Sequence, residues 1–292
     1  MIITRRSLVA ASATLPFLRL PGFAQAGKVL RFGLSSYPPS LSPFVHTGTA
    51  ALTVKLLVYR GLTGFGPDGE VRPELAESWK QENPTTWVFK LRPATFQNGK
   101  PVTSEDVKWS FEQISAQGST AHFRTEFASF TKIETPDAQT VVISTKEPVA
   151  VLPLWFASPH TPILSKGSLE GNPLGVGAGP FVMKAQERGV AIEVAKFDKY
   201  YKPGQPKVDG IKLVAYADEN LRVAALQAGD VDLIEYVPWQ HMGVIEKDPK
   251  LKLDAADGPF MALGFNGGQG PFKDVRLRQA VAHAIRREEI VE

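Results

Sequence analysis

The most regular pattern of apolar and polar residues in this chain changes over a short distance from the period of a strand to that of a helix. Trp87, Phe89 and Leu91 recur at every second position, which is typical of a strand with one buried face. Thr103 and Asp106 have the spacing of a capping box at a helix start. The apolar residues that follow share one helical face: Val107, Phe111 and Ile114. We therefore predict a strand, a turn and a capped helix, with these aromatic residues in the core.

The same two periods predict strands and helices in alternation along the rest of the chain. Strands are predicted at residues 29–34, 141–145, 191–197 and 231–234, and helices at residues 50–59 and 219–228. The second helix is predicted to begin after Asp218 and to end at Gly229, which tolerates a left-handed C-terminal position. Its inward-facing residues would be Leu221, Ala224, Ala225 and Ala228. Mixed strands and helices indicate the α/β or the α+β fold class.

The first 26 residues have the composition of an export signal. Arg5 and Arg6 precede an apolar stretch that ends at Leu18, and residues 24–26 read Ala-Gln-Ala, a cleavage site of small residues. The arginine pair fits both a twin-arginine signal and an ordinary secretory signal. Because the stretch is shorter than the ~20 apolar residues that span a bilayer, we predict cleavage after Ala26 and an exported, soluble periplasmic product.

Charge and cysteine content exclude several kinds of partner and site. The chain has 33 basic and 30 acidic residues, and three of the basic residues are arginines of the export signal. Because the rest of the chain therefore has as many basic as acidic residues, nothing indicates a nucleic-acid partner. The absence of cysteine excludes disulfides and thiolate metal ligands.

No constellation in the sequence is complete enough to predict catalytic residues, a cofactor or a metal site. Ser129 and Lys132 have the Ser-x-x-Lys spacing of penicillin-recognising serine enzymes, but the partner tripeptides Ser-Asp-Asn and Lys-Thr-Gly do not occur. Residues 175–180 resemble a dinucleotide fingerprint, except that Pro180 occupies the place of the third glycine. The histidines are scattered, without the spacing of a metal site: His46, His122, His160, His241 and His283.

Six segments carry ordered residue identities that are more specific than their secondary structure. They are residues 75–79 (Leu-Ala-Glu-Ser-Trp), 96–111, 177–181, 197–201, 224–232 and 265–290. In this order they resemble the family 5 solute-binding proteins of ABC importers, which capture oligopeptides, dipeptides, nickel chelates and some sugars. The resemblance covers the whole chain after the export signal.

The resemblance implies an α/β periplasmic-binding-protein fold of the class with an extra inserted domain. Residues 27–58 and 169–270 would form lobe I, residues 59–168 the inserted domain, and residues 271–292 the start of a second lobe that is truncated. The chain would then cover about the first half of the family pattern. Arg286 departs from the family, which usually has an Asp there as the cap of the next helix. One wall of the cleft would be missing, so we expect that this chain alone binds no peptide tightly.

Ligand-binding residues are implied by the resemblance and, for two residues, by their position in the sequence. Tyr37 and Trp239 each lie in a proline-containing loop after a strand, where both ligand contact and loop packing are consistent with the pattern. The resemblance adds the other candidates: Thr47, Gly48, Thr49, His122, Tyr236, Pro238 and Met261, with Trp239 again.

The function implied is that of a substrate-binding component of an ABC import system, which captures a peptide or similar small solute in the periplasm by closure of a cleft. Its partners would be the ligand and the ABC permease subunits of the inner membrane, and the protein would be a monomer. The sequence leaves the solute open among oligopeptide, dipeptide, metal chelate and sugar. Two alternatives remain: a secreted serine hydrolase of the Ser-x-x-Lys type, and a truncated, non-functional remnant.

Overall fold

The computed structural model describes residues 27–255 and 262–291, without the side chains of residues 288 and 291, so the predicted export signal lies outside it. The chain divides into two compact units, one ending at Pro238 and one beginning at Trp239. Within the described residues, no helix combines the length and the apolar character needed to cross a membrane.

The first unit has eleven described strands and five helices. In chain order they are β1 (Val29–Leu34), α1 (Thr49–Val58), β2 (Thr63–Phe65), β3 (Val71–Pro73), β4 (Ala76–Asn83), β5 (Thr86–Leu91), α2 (Ser104–Ser115), α3 (Arg124–Phe127), β6 (Phe130–Asp137), β7 (Thr140–Thr145), α4 (Leu152–Phe156), β8 (Phe181–Glu187), β9 (Ala191–Lys196), β10 (Gly210–Ala215), α5 (Glu219–Ala228) and β11 (Leu233–Ile234).

Two larger sheets organise this unit. The five-stranded sheet has the order β11-β1-β10-β9-β8, in which β1 runs parallel to both β10 and β11. The four-stranded sheet is antiparallel throughout, in the order β4-β5-β7-β6, and β2 pairs with β3 in a separate hairpin. The α/β class is therefore confirmed. The domain boundaries at residues 58/59 and 168/169 stay predictions.

The predicted strand, turn and capped helix are confirmed as β5 and α2. The carboxylate of Asp106 accepts hydrogen bonds from the Thr103 backbone N–H at 2.9 Å and from its hydroxyl at 2.6 Å, and the reciprocal contact of the Asp106 backbone with the Thr103 side chain completes the capping box. Phe111 of α2 is fully buried, and its ring lies 4.8 Å from that of Phe156 and 5.0 Å from that of Phe127. The aromatic residues of this stretch thus form the core, as predicted.

The glycines at 177 and 179 serve close packing against the end of α1. A Cβ on Gly179 would stand 2.4 Å from the carbonyl carbon of Val58, and one on Gly177 would stand 2.5 Å from the oxygen of Val58. The Gly179 N–H donates to that same oxygen at 2.9 Å. Only residues without a side chain allow this approach, so the glycine-rich stretch has a packing reason.

The bounds predicted for α5 are confirmed, but of its predicted inward face only Ala225 is buried. Asp218 caps the helix by accepting from the Leu221 N–H at 2.9 Å, and Gly229 ends it at φ 78°. Leu221 is 64% exposed, whereas Arg222 is 1% exposed. A hydrophobicity pattern places Arg outside. Such a pattern does not predict the burial of Arg222, whose hydrogen bonds, among the described residues, are all accepted by backbone carbonyls.

The second unit contains α6 (Trp239–Lys247), a 3-10 turn (Pro271–Lys273), α7 (Val275–Ala284) and α8 (Glu288–Val291). Asp274 caps α7 by accepting from the Arg276 N–H at 2.9 Å. The helix predicted to follow Arg286 is present as α8.

Candidate functional site

The loops that follow β1 and β11 leave the same edge of the five-stranded sheet, because the two strands are parallel. Their register pairs Phe32 with Leu233 and Gly33 with Ile234. Beyond β1 the chain reaches the start of α1 at Thr49, and beyond β11 it reaches Tyr236. Ligands of open α/β sheets bind outside the carboxyl ends of the strands, so this edge is the candidate site.

Tyr236 and Thr49 are in direct contact at this edge. The hydroxyl of Tyr236 donates to Oγ1 of Thr49 at 3.1 Å, although the two residues are 187 positions apart. The Tyr236 side chain remains 59% exposed. Its backbone has φ 54°, a left-handed conformation that no other non-glycine residue adopts among those described. Such strain in a bulky residue is typical of functional positions.

Hydrogen bonds from Arg222 and to Glu235 fix the loop that carries Tyr236. The guanidinium of Arg222 donates to three backbone carbonyls: Nε to Glu235 at 3.0 Å, Nη1 to Tyr216 at 2.9 Å and Nη2 to Tyr236 at 2.8 Å. The carboxylate of Glu235 accepts from the N–H and hydroxyl of Ser35 at 2.8 and 2.6 Å and from Thr53 at 3.3 Å. Sequence reasoning missed both anchoring residues.

Thr47 and Gly48 form the turn that enters α1. The Thr47 hydroxyl donates to the Ser40 carbonyl at 2.7 Å, and Gly48 is the N-cap residue at φ 95°. A Cβ at Gly48 would meet no described atom within 4 Å, so the surface there is open. Tyr37, by contrast, is half-buried and packs against the hydrophobic core.

Three of the histidines that are scattered in the sequence meet in space, which their spacing along the chain does not show. Nδ1 of His46 lies 3.0 Å from Nε2 of His160, and the ring centroid of His122 lies 5.5 Å from that of His46 and 4.8 Å from that of His160. The backbone N–H of His122 donates to the Phe44 carbonyl at 2.9 Å, which ties this cluster to the loop before α1. No group of three or more potential ligands in residues 27–255 and 262–291 has the geometry of a metal site.

One member of this histidine cluster, His160, is buried, and the buried Lys55 lies nearby. His160 is 4% exposed, and its Nδ1 has no hydrogen-bond partner among the described residues. Burial lowers its pKa, with added repulsion from Lys55, His122 and His46, to about 4. Lys55 is 1% exposed and donates to the Val45 carbonyl, and burial lowers its pKa to about 8. Both shifts have the same main cause, since burial disfavours the charged form.

The last of the predicted ligand residues are Pro238, Trp239 and Met261. Pro238 is buried at the end of the first unit, and Trp239 is 82% exposed as the first residue of α6 in the second unit. Met261 lies outside the described residues.

Ser129 and Lys132 do not form a nucleophile and base. The hydroxyl of Ser129 donates to the Glu126 carbonyl at 2.6 Å, and the ammonium of Lys132 pairs with Glu134 at 2.6 Å. Each polar group has a local partner, so the Ser-x-x-Lys spacing is explained by a turn and an exposed ion pair.

The fold defines the class: the described architecture is that of a periplasmic binding protein. The chain belongs to family 5 of the bacterial extracellular solute-binding proteins, whose family model (described as the family 5 Middle region) matches residues 70–292.

Individual relatives give the same result. The glutathione-binding protein GsiB of Pectobacterium atrosepticum is 30% identical over 100% of this chain and 58% of its own length. The structure of AgaA from A. tumefaciens R10 in complex with agropinic acid is 44% identical, with a TM-score of 0.73 over 76% of this chain and 46% of that one. MoaA from the same source, in complex with mannopinic acid, is 27% identical with a TM-score of 0.80 over 91% and 57%. The chain thus spans about half the length of these relatives, as the order of the sequence motifs predicted.

Proposed function

We propose that this protein is the solute-binding component of an ABC importer and that it captures a peptide or a related amino-acid-derived acid in the periplasm. The observation that carries the proposal is the edge of the five-stranded sheet, where an exposed Tyr236 and the start of α1 meet within a family 5 fold. The remaining surface of the site would be supplied by a second lobe that closes over the ligand.

The ligand class rests on what the relatives bind. GsiB is named for glutathione, and the AgaA and MoaA structures contain agropinic and mannopinic acid. These compounds share carboxyl groups and a size well below that of a protein. A small acid of this kind is therefore our proposed solute, and an ABC permease of the inner membrane is the proposed recipient.

No observation favours the serine hydrolase alternative, since Ser129 and Lys132 are each engaged locally. We propose that the protein is not an enzyme, in keeping with relatives that are solute-binding proteins.

The test is a titration of the complete gene product, purified from the periplasm, with glutathione, agropinic acid and mannopinic acid by calorimetry. We expect binding of at least one solute, and Tyr236→Ala should weaken it by about tenfold, the loss of an aromatic contact of roughly 1.4 kcal/mol. Phe65→Ala is the matched control, because Phe65 is a comparably exposed aromatic residue (53%) on another sheet. Absence of binding to all three solutes, or equal effects of the two substitutions, would contradict the proposal.

The purified protein and its segment 27–292 test two expectations from the sequence. The mature N-terminus should be Gly27 if the export signal is cleaved as predicted. Residues 27–292 alone should bind none of the solutes at micromolar concentration, and tight binding by this segment would show that no second lobe is needed.

A further inference from the structure

The buried guanidinium of Arg222 lies directly behind the exposed residue of the candidate site. Its side chain is 1% exposed, and no salt bridge to it is present in the described parts of the chain. Its described hydrogen bonds all go to backbone carbonyls, two of which belong to the consecutive residues Glu235 and Tyr236. A buried cation is costly without compensation, so this arrangement demands a structural or functional reason.

The reason is found in the backbone of Tyr236. At φ 54° a non-glycine residue is disfavoured and persists only where its surroundings impose the conformation. The carbonyls of Glu235 and Tyr236 are both fixed by Arg222, and the Glu235 N–H donates to the Gly33 carbonyl at 3.1 Å. The peptide groups on either side of the Tyr236 α-carbon are therefore held, and the ring is directed toward Thr49.

Only an arginine can make these bonds simultaneously. Its planar fork presents several N–H groups in fixed directions, whereas lysine has a single nitrogen. The third bond, to the Tyr216 carbonyl beyond β10, anchors the fork to the sheet. Gly33 of the neighbouring β1 packs closely against β11, since a Cβ there would lie 3.0 Å from Ile234 Cγ2, and at 3.5 Å it would be in ordinary contact with Arg222 Cγ.

We propose that Arg222 is a positioning residue for solute binding, which holds Tyr236 in a left-handed conformation so that its ring faces the ligand at the start of α1. This inference rests on the proposed function, because it assigns Tyr236 to the ligand surface. Arg222 itself does not touch the solute. Its contribution to affinity passes through Tyr236.

A double-mutant cycle in the complete gene product tests this role. The variants are Arg222→Lys, Tyr236→Ala and the pair together, titrated with whichever of agropinic acid, mannopinic acid and glutathione the wild type binds. We expect Arg222→Lys to raise Kd about tenfold, and to raise it less than about twofold when Tyr236 is already alanine, since interacting residues are not additive. Arg60→Lys is the matched control: Arg60 also donates to backbone carbonyls, those of Leu56 and Tyr59, at the far end of α1. Its Kd should stay within about twofold of the wild type.

Two results would overturn the inference. One is an Arg222→Lys protein with a lower Tm and an unchanged Kd, which would make Arg222 purely structural. The other is a loss of affinity that persists in full in the Tyr236→Ala background. If Arg222→Lys does not fold, Arg222→Gln replaces it, because a single amide nitrogen cannot reproduce the fork that binds the carbonyls of Glu235, Tyr216 and Tyr236 together. Its Kd should rise severalfold, again only when Tyr236 is present.

Failure of the proposed function is separable from failure of this inference. A wild type that binds none of the three solutes refutes the function. The role of Arg222 is then decided by a crystal structure of Arg222→Lys, in which Tyr236 should leave the left-handed region and lose its contact with Thr49. Retention of φ near 54° and of that contact would refute the positioning role.

Discussion

Replacing His160 by glutamine should make the stability of this protein less sensitive to acid. Glutamine places an amide nitrogen or oxygen near the position of Nε2, which lies 3.0 Å from His46, so the buried contact is kept while the ionisable group is lost. The pKa of His160 is lowered from an ordinary 6.5 to about 4, chiefly by burial. The folded protein therefore binds a proton at this site less readily than the unfolded chain.

The sign and size of the effect follow from that difference. Above pH 6.5 the imidazole is neutral in both states, and the site contributes its full stability. As the pH falls from 6.5 toward 4 the unfolded chain takes up a proton first, so the free energy of unfolding decreases. A shift of this size corresponds to a loss of about 2 kcal/mol at pH 5 and about 3 kcal/mol at pH 4. With a total stability of ~5–15 kcal/mol, a loss of this size is easily measured.

Urea unfolding at pH 7.5 and pH 5 measures this loss. The difference in free energy of unfolding between the wild type and His160→Gln should change by about 2 kcal/mol in favour of the variant on acidification. His283→Gln is the matched control, because His283 is exposed on α7. The carboxylates of the protein titrate equally in all three proteins and cancel. A wild-type-to-variant difference that is independent of pH would refute the reasoning.

Two further substitutions test buried groups beside α1. Lys55→Met should remove a pH dependence on the alkaline side, because burial lowers the pKa of Lys55 from 10.5 to about 8. Between pH 7.5 and 9.5 the free energy of unfolding of the wild type, measured with urea, should therefore increase by about 2 kcal/mol relative to that of the variant. Lys80→Met, at an exposed position, should show no such change. Gly179→Ala should destabilise the protein by about 2–3 kcal/mol, because its methyl group would stand 2.4 Å from the Val58 backbone. Gly243→Ala, which has open space around it in α6, should stabilise the protein slightly. Equal Tm values for the two variants would contradict the packing argument.

The local elements of the fold were predictable because each is encoded within a few residues. The cap of α2 needs only Thr103 and Asp106, and the end of α5 needs only Gly229. The family signature placed the start of α1 and Tyr236 among the ligand candidates, although their contact across the sheet was not foreseen. That contact depends on which strands are neighbours, and periodicity does not encode strand order.

The groups that sequence reasoning missed are those whose environment is built from distant segments. His46, His122 and His160 are separated by at least 38 positions, so no spacing rule connects them. Arg222 is hidden for a different reason: its burial depends on carbonyl acceptors, and every residue has a carbonyl. A sequence therefore shows that an arginine is present and does not show that the chain has folded around it.

The pairing of β11 with β1 decides whether a site exists at all, and that pairing is short. Only two residue pairs join the strands, so their hydrogen bonds alone hold β11 weakly. Polar contacts fix both of its ends. Before the strand, Arg31 binds Asp232 through its backbone N–H at 2.7 Å and its guanidinium at 2.6 Å. After the strand, Glu235 is bound by Ser35 and its carbonyl by Arg222. Because a shift of one residue would turn every side chain of β11 to the other face, these contacts fix the register, and the register is what brings Tyr236 to the start of α1.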